Sequence, residues 1–199
     1  MLRQRGMSLI ELMIGVAIMA ILLMTGIPSF SLWIQNTQNR AAAESILNGL
    51  QLARAEAVRR NTVVRFELTD TSGLVAWTVG CENVTAECPA TIQQRASTDG
   101  SVNARVGVSS TAIPSPTPSG YFGTAIAAGA GVDGGDAGVS FNGIGRVPSI
   151  NIGVDITRVD ITNAVLSGAR RYVVIIGTGG QIRMCDPAVA FSGNPQGCS

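Results

Sequence analysis

One carboxylate, Glu11, stands in a stretch otherwise free of charge. It is the residue whose placement most clearly calls for a chemical partner. From Leu12 to Asn39 there is no charged side chain, and Leu12 to Ile27 is apolar except for Gly15, Thr25 and Gly26. A lone acid near the start of a membrane helix costs about 2–3 kcal/mol unless it is paired. If the chain is cut after Gly6, the new α-amino group on Met7 lies four residues away and is one cationic partner. The corresponding amine of a neighbouring subunit is another, and an interfacial glutamate that reaches toward headgroups is the alternative.

Other residue groups offer less chemistry. The chain has no Lys and no His, so all 14 basic residues are Arg. That excludes a Lys Schiff base, a P-loop Lys, a Ser-His pair and His-based metal sites. With no nucleophile–base pair and no metal cluster, the sequence assigns no catalytic residue, no cofactor and no metal. Gly129-Ala-Gly131-Val-Asp-Gly134 spells GxGxxG, with Asp155 about 20 residues on. No strong strand precedes it and Gly-Gly-Asp follows it in place of a helix, so a flexible loop is the better account. Asp133 and Asp136 are oxygen donors in that loop but are too few for a calcium shell, and read as solvated acids.

Four cysteines, Cys81, Cys88, Cys185 and Cys198, avoid the apolar N-terminus. In an exported domain an even count suggests two disulfides. Three pairings are open. Cys81–Cys88 with Cys185–Cys198 is favoured because each closes a short local loop, while four reduced thiols would mark a cytosolic protein. Their spacings are not those of a zinc site.

The elements that must position these groups begin with a short basic segment, MLRQRG, at residues 1–6. A helix from Met7 to Phe30 would be about 36 Å long, enough to cross a hydrocarbon core of about 30 Å. Arg3 and Arg5 would stay on the cytoplasmic side and the C-terminal part would face outward. No small-residue cleavage site follows the apolar run; the small residue, Gly6, precedes it. Cutting there removes Arg3 and Arg5, leaving 14 − 2 = 12 basic residues against 13 acids, a net charge of −1. Such a balance does not favour a polyanion binder.

Residues 29–60 continue as an amphipathic helix. Ile46, Leu50, Ala53 and Ala57 form its stripe, Leu47 and Val58 flank it, and Gln35, Asn39, Arg40, Glu44 and Arg54 supply polar faces. Gly26-Ile27-Pro28 predicts a kink. The pattern then becomes β-like over 62–69, 74–79, 92–96, 104–108 and 139–142, with a hairpin over 172–185 turning at Gly177–Gly180. Residues 113–120 read as a Pro-rich loop and 121–138 as an irregular Gly/Ala-rich insertion. The reading is three segments: 1–6 a leader, 7–28 a membrane or filament-core helix, and 29–199 a globular domain with its helix over 29–60 and its β part over 61–199.

Gly6-Met7-Ser8-Leu9-Ile10-Glu11-Leu12 resembles the class III signal of type IV pilins and type II secretion pseudopilins, with Met7 where phenylalanine is commoner. Pro28 lies where these proteins carry a helix-kinking proline. Leu52-Ala-Arg-Ala-Glu-Ala-Val-Arg-Arg-Asn61, Phe141-Asn-Gly-Ile-Gly-Arg146 and Gly180-Gln-Ile-Arg-Met-Cys185 resemble the GspH/FimT group of minor pilins and pseudopilins. The resemblance implies an α+β fold, a long N-terminal helix packed on a mainly antiparallel β-sheet domain. It implies cleavage at Gly6–Met7 by a prepilin peptidase, N-methylation of Met7, residence in the bacterial inner membrane with the C-terminal domain periplasmic, and assembly with other pilin or pseudopilin subunits. A second implied activity is DNA binding for uptake in transformation, through a motif in which two arginines flank one residue after glycine. Here Gln181 replaces the first of them, and the arginines weighed for this role are Arg170, Arg171 and Arg183. Structural hydrogen bonds by Arg146 and Arg183 are the competing account.

Overall fold

The structure, a computed structural model, describes residues 8–133 and 137–198, without the side chains of residues 25–28. The expected cleavage pair Gly6–Met7 and the loop acid Asp136 lie outside the described residues. The chain divides into two compact units, Met1–Ile34 and Gln35–Ser199.

Helix α1 runs from Leu9 to Arg60. Ser8 caps its start: the Ser8 Oγ accepts a hydrogen bond from the Glu11 backbone N–H at 3.3 Å, one of the donors a helix N-terminus leaves unpaired. The acid at Glu11 and the bases Arg59 and Arg60 complement the helix dipole at its two ends. Asn61, with φ of 50°, takes the left-handed conformation that ends α1. Its N–H reaches the Val58 carbonyl and the Thr62 N–H reaches the Ala57 carbonyl, a Schellman closure. The helix passes through position 28, where a kink was expected; the side chains there lie outside the described residues.

In the first unit the apolar side chains of α1 face outward. Leu9 to Met24 carries twelve large hydrophobics at least half exposed. In the second unit the helical stripe is covered. Ala42, Ala43, Ile46, Leu50, Ala53 and Ala57 are fully buried. Gly49 permits a close approach, because a Cβ there would come within 2.7 Å of the Phe66 ring and 3.2 Å of Trp77.

Two four-stranded antiparallel sheets complete this unit. The first has order β3-β2-β1-β5, from β1 (Val64–Leu68), β2 (Trp77–Cys81), β3 (Gln93–Arg95) and β5 (Gly138–Phe141). Val64 pairs with Cys81 on one side and Phe141 on the other. The second has order β4-β6-β7-β8, from β4 (Ala104–Ser109), β6 (Arg158–Asn163), β7 (Tyr172–Ile176) and β8 (Ile182–Cys185). Alternation in β1 and β2 buries Val64, Phe66, Leu68, Trp77 and Val79 with the helical stripe. The strand β7 is apolar throughout because both its faces are covered. Val174 and Ile176 join the main core, while Val173 and Ile175 pack in a smaller cluster with Phe122, Cys185 and Cys198.

Three expectations change. Gln35 and Asn39 were placed on a polar face, yet both are buried. The Asn163 amide donates to Gln35 Oε1 at 3.0 Å and to Asn39 Oδ1 at 3.1 Å, and Asn39 Nδ2 donates to the Arg170 carbonyl at 2.9 Å. Hydrogen bonding lets these amides occupy the interior. The strand expected from Leu74 begins only at Trp77, because Asp70 accepts from the Ser72 and Leu74 N–H groups and holds 70–74 as a turn. Finally, β6 was not anticipated.

Candidate assembly determinants and arginine network

Glu11 lies in the first turn of α1 and is exposed. Ser8 and Glu11 have the Ser-x-x-Glu spacing of a capping box, and the Ser8 side of it is formed. Among the described residues nothing reaches the Glu11 carboxylate. It therefore stands as an acceptor at the rim of an exposed apolar helix.

Three family-like segments, far apart in sequence, meet at the C-terminal end of α1. Phe141–Arg146 leaves β5 as a tight turn organised by Asn142, whose Oδ1 accepts the N–H groups of Ile144 and Arg146, each at 3.1 Å. Arg54 Nε donates to the Gly145 carbonyl at 3.0 Å. A Cβ on Gly143 would strike the Asn61 side chain. Gly180, with φ of +83°, lies so close to the Gly145 carbonyl that a Cβ there would collide with it. These glycines and Asn61 are thus explained by packing and backbone conformation.

The arginines weighed for DNA are committed within the domain. Asp160, fully buried on β6, is the centre of a network. Arg158 grips it with Nε on Oδ1 at 2.7 Å and Nη2 on Oδ2 at 2.8 Å. Arg171 Nη1 donates to Oδ2 at 2.8 Å, and the Ile126 N–H donates there at 3.0 Å. The two guanidinium groups then reach into the insertion: Arg158 to the Thr124 carbonyl at 2.8 Å, Arg171 to the carbonyls of Phe122 and Gly123. The Arg158 guanidinium lies 5.0 Å from the Phe122 ring centroid. One buried acid with two arginines therefore fastens residues 121–126 to the second sheet. The sequence signal was the strict polar–apolar alternation of Arg158-Val-Asp-Ile-Thr, which marks a strand but gives no sign that its charged positions are buried too.

Arg183 Nη2 donates to the Cys198 carbonyl at 3.0 Å and its guanidinium lies 5.2 Å from the Phe191 ring centroid. Arg170, with its side chain 58% exposed, pairs with Asp186 at 3.1 Å. Arg146 is exposed and, among the described residues, has no side-chain partner. The structure thus brings Arg171 to Asp160 and Arg183 to the C-terminal tail, and does not gather the arginines into one open basic face.

The cysteines are joined locally, Cys81 to Cys88 with Cα atoms 5.8 Å apart and Cys185 to Cys198 with Cα atoms 5.0 Å apart. Residues 129–133 of the GxGxxG segment form a loop laid against β4: the Gly129 N–H donates to the Val106 carbonyl and the Val108 N–H to that of Ala130. Val132 is buried, and strand β5 follows. Asp155, spaced as a ribose ligand would be, is buried and takes Arg65 Nη1 at 2.9 Å and the Ser140 N–H at 2.8 Å. Both features are structural.

Residues 42–180 match the family Type II transport protein GspH, and residues 1–27 match the prokaryotic N-terminal methylation motif. Among solved structures, the type IV minor pilin FimU of Pseudomonas aeruginosa aligns at 17% identity over 84% of this chain and 99% of its own, with a TM-score of 0.49. The minor pseudopilin EpsH from the type 2 secretion system of Vibrio cholerae aligns at 12% identity over 77% of this chain and 99% of its own, with a TM-score of 0.45. No curated protein matches the chain in sequence. On the match over residues 42–180, joined to the methylation motif at its N-terminus, the chain belongs to the GspH family of minor pilins and pseudopilins.

Proposed function

We propose that this protein acts by being built into a filament, as a minor subunit of a type IV pilus or a type II secretion pseudopilus. The observation that carries the proposal is the exposed apolar half of α1, interrupted near its start by the single acid Glu11. A prepilin peptidase cuts between Gly6 and Met7, and Met7 is then N-methylated; the methylation motif over residues 1–27 supports this step. Before assembly the apolar helix holds the chain in the inner membrane, with the C-terminal unit in the periplasm. The two local disulfides suit that oxidising compartment. On assembly the apolar side chains exchange lipid for the helices of neighbouring subunits. Glu11 neutralises the α-amino group of an adjacent Met7, a pairing that in a low-dielectric filament core offsets the cost of both charges.

The test is Glu11→Ala beside Glu11→Gln. Both variants should be cut and methylated normally by mass spectrometry, and both should fail to enter filaments. Wild-type incorporation of either variant would rule out the pairing role. The DNA-binding alternative gains nothing from the arrangement described above, since Arg171 and Arg183 are bound to groups within the domain.

A further inference from the structure

The end of the apolar half of α1 carries a feature that filament packing does not require. Phe30 and Trp33, three residues apart, stack with ring centroids 5.8 Å apart and planes 24° from parallel. Both are 62% exposed. The other tryptophan, Trp77, is treated quite differently: it is buried, and its Nε1 donates to Ser45 Oγ at 3.0 Å. Tryptophan combines a large apolar ring with one N–H donor, which suits a boundary where one side is hydrocarbon and the other is wet.

The spacing along α1 agrees with such a boundary. From Glu11 to Phe30 there are 19 helical steps and to Trp33 there are 22, rises of about 29 and 33 Å. A bilayer hydrocarbon core is about 30 Å thick. The carboxylate and the ring pair therefore bracket one bilayer thickness, with no charged residue between them. Directly after Ile34 the sequence turns polar, through Gln35-Asn-Thr-Gln-Asn-Arg40.

We infer that Phe30 and Trp33 form a lipid-interface anchor that holds the unassembled chain at a fixed depth, with the rings at the outward headgroup boundary and Glu11 at the opposite one. The inference rests on the reading of this segment as a membrane helix. Glu11 then waits in contact with headgroups and water, and is buried only when the helix leaves the bilayer for the filament, where the adjacent α-amino group compensates it.

The test uses the full-length chain reconstituted in phosphatidylcholine vesicles whose acyl chains are brominated at shallow or at deep positions. Wild-type fluorescence minus that of Trp33→Phe, which keeps Trp77 and the core intact, isolates Trp33. Its emission should be blue-shifted relative to the water-exposed indole and should lose more intensity with shallow bromines than with deep ones. Stronger loss with deep bromines, or no loss in vesicles that carry the chain on flotation, overturns the anchor while leaving the membrane helix standing. A chain that does not float with vesicles overturns the membrane reading itself.

Discussion

The Asn39 side chain, fully buried on α1, donates through Nδ2 to the carbonyl of Arg170, 131 residues later, at 2.9 Å. This bond ties the helix to the segment leading into β7. Asn39→Ala should leave the Arg170 carbonyl and the Asn163 amide short of partners and lower stability by about 1–3 kcal/mol. Urea unfolding of the detergent-solubilised chain measures it; a midpoint equal to wild type would mean that the pocket relaxes around the change.

Asp160 should be the most sensitive charge in the domain. Asp160→Ala strips two arginines of their shared partner in a dry setting, for an expected loss of about 3–5 kcal/mol. Because Arg158 and Arg171 also hold the backbone at 122–124, the variant should release residues 121–126 to rapid amide exchange while the β1–β2 amides stay protected. Uniform exchange across both sheets would show that the network does not act locally.

Gly180→Ala probes the meeting of the three segments at the end of α1. The position combines a left-handed φ with a carbonyl in the way, so strain and collision add. We expect a loss of at least about 1–3 kcal/mol, readable as a fall in thermal midpoint. Gly168→Ala, where a Cβ meets open space, should be close to neutral.

Acid should weaken the fold through two carboxyls. The Arg59 guanidinium, hydrogen-bonded to Glu56, holds that carboxyl below its ordinary value, and the Ser72 hydroxyl does the same for Asp70. The unfolded chain therefore takes up these protons first as the pH drops. Their stabilisation is complete above the ordinary carboxylate range and is lost as the pH falls through the lower folded values. Pairing at a surface of this kind contributes less than about 1 kcal/mol per site. The double variant Glu56→Gln, Asp70→Asn should flatten the acid limb of stability measured between about pH 5 and pH 2, its loss falling at neutral pH, where the stabilisation is complete, and vanishing in acid.

The elements legible in the sequence were those whose periodicity was undisturbed. Ile46, Leu50, Ala53 and Ala57 recur at helical spacing and all are buried, and the β7–β8 hairpin announced itself by an apolar run, a Gly-rich turn and a second run. The missed strand β6 alternates polar and apolar residues over 158–162 and was legible in that pattern, whereas the burial of its charged positions Arg158 and Asp160 was not. Gln35 and Asn39 looked like a solvent face because polarity alone cannot reveal an amide partner more than 120 residues away. The insertion expected over 121–138 is free of helix and strand over 121–133, yet Phe122 and Val132 are buried anchors that composition concealed, and Gly138 already opens β5. At the candidate site, Glu11 was visible because a charge within an apolar run is conspicuous. Asp160 was not, because its role depends on a network that only the fold assembles.

The cysteine links join partners 7 and 13 residues apart, and neither involves α1. The two other pairings would each close loops of about a hundred residues, at an extra cost in chain entropy of about 2 kcal/mol per link. Correct connectivity therefore does not depend on the sheets having formed first. If, as proposed, the C-terminal unit is exported with the residues next to the membrane helix leading, Cys81 meets Cys88 before Cys185 has emerged, so the order of export itself selects the right partners and scrambling has little opportunity to begin.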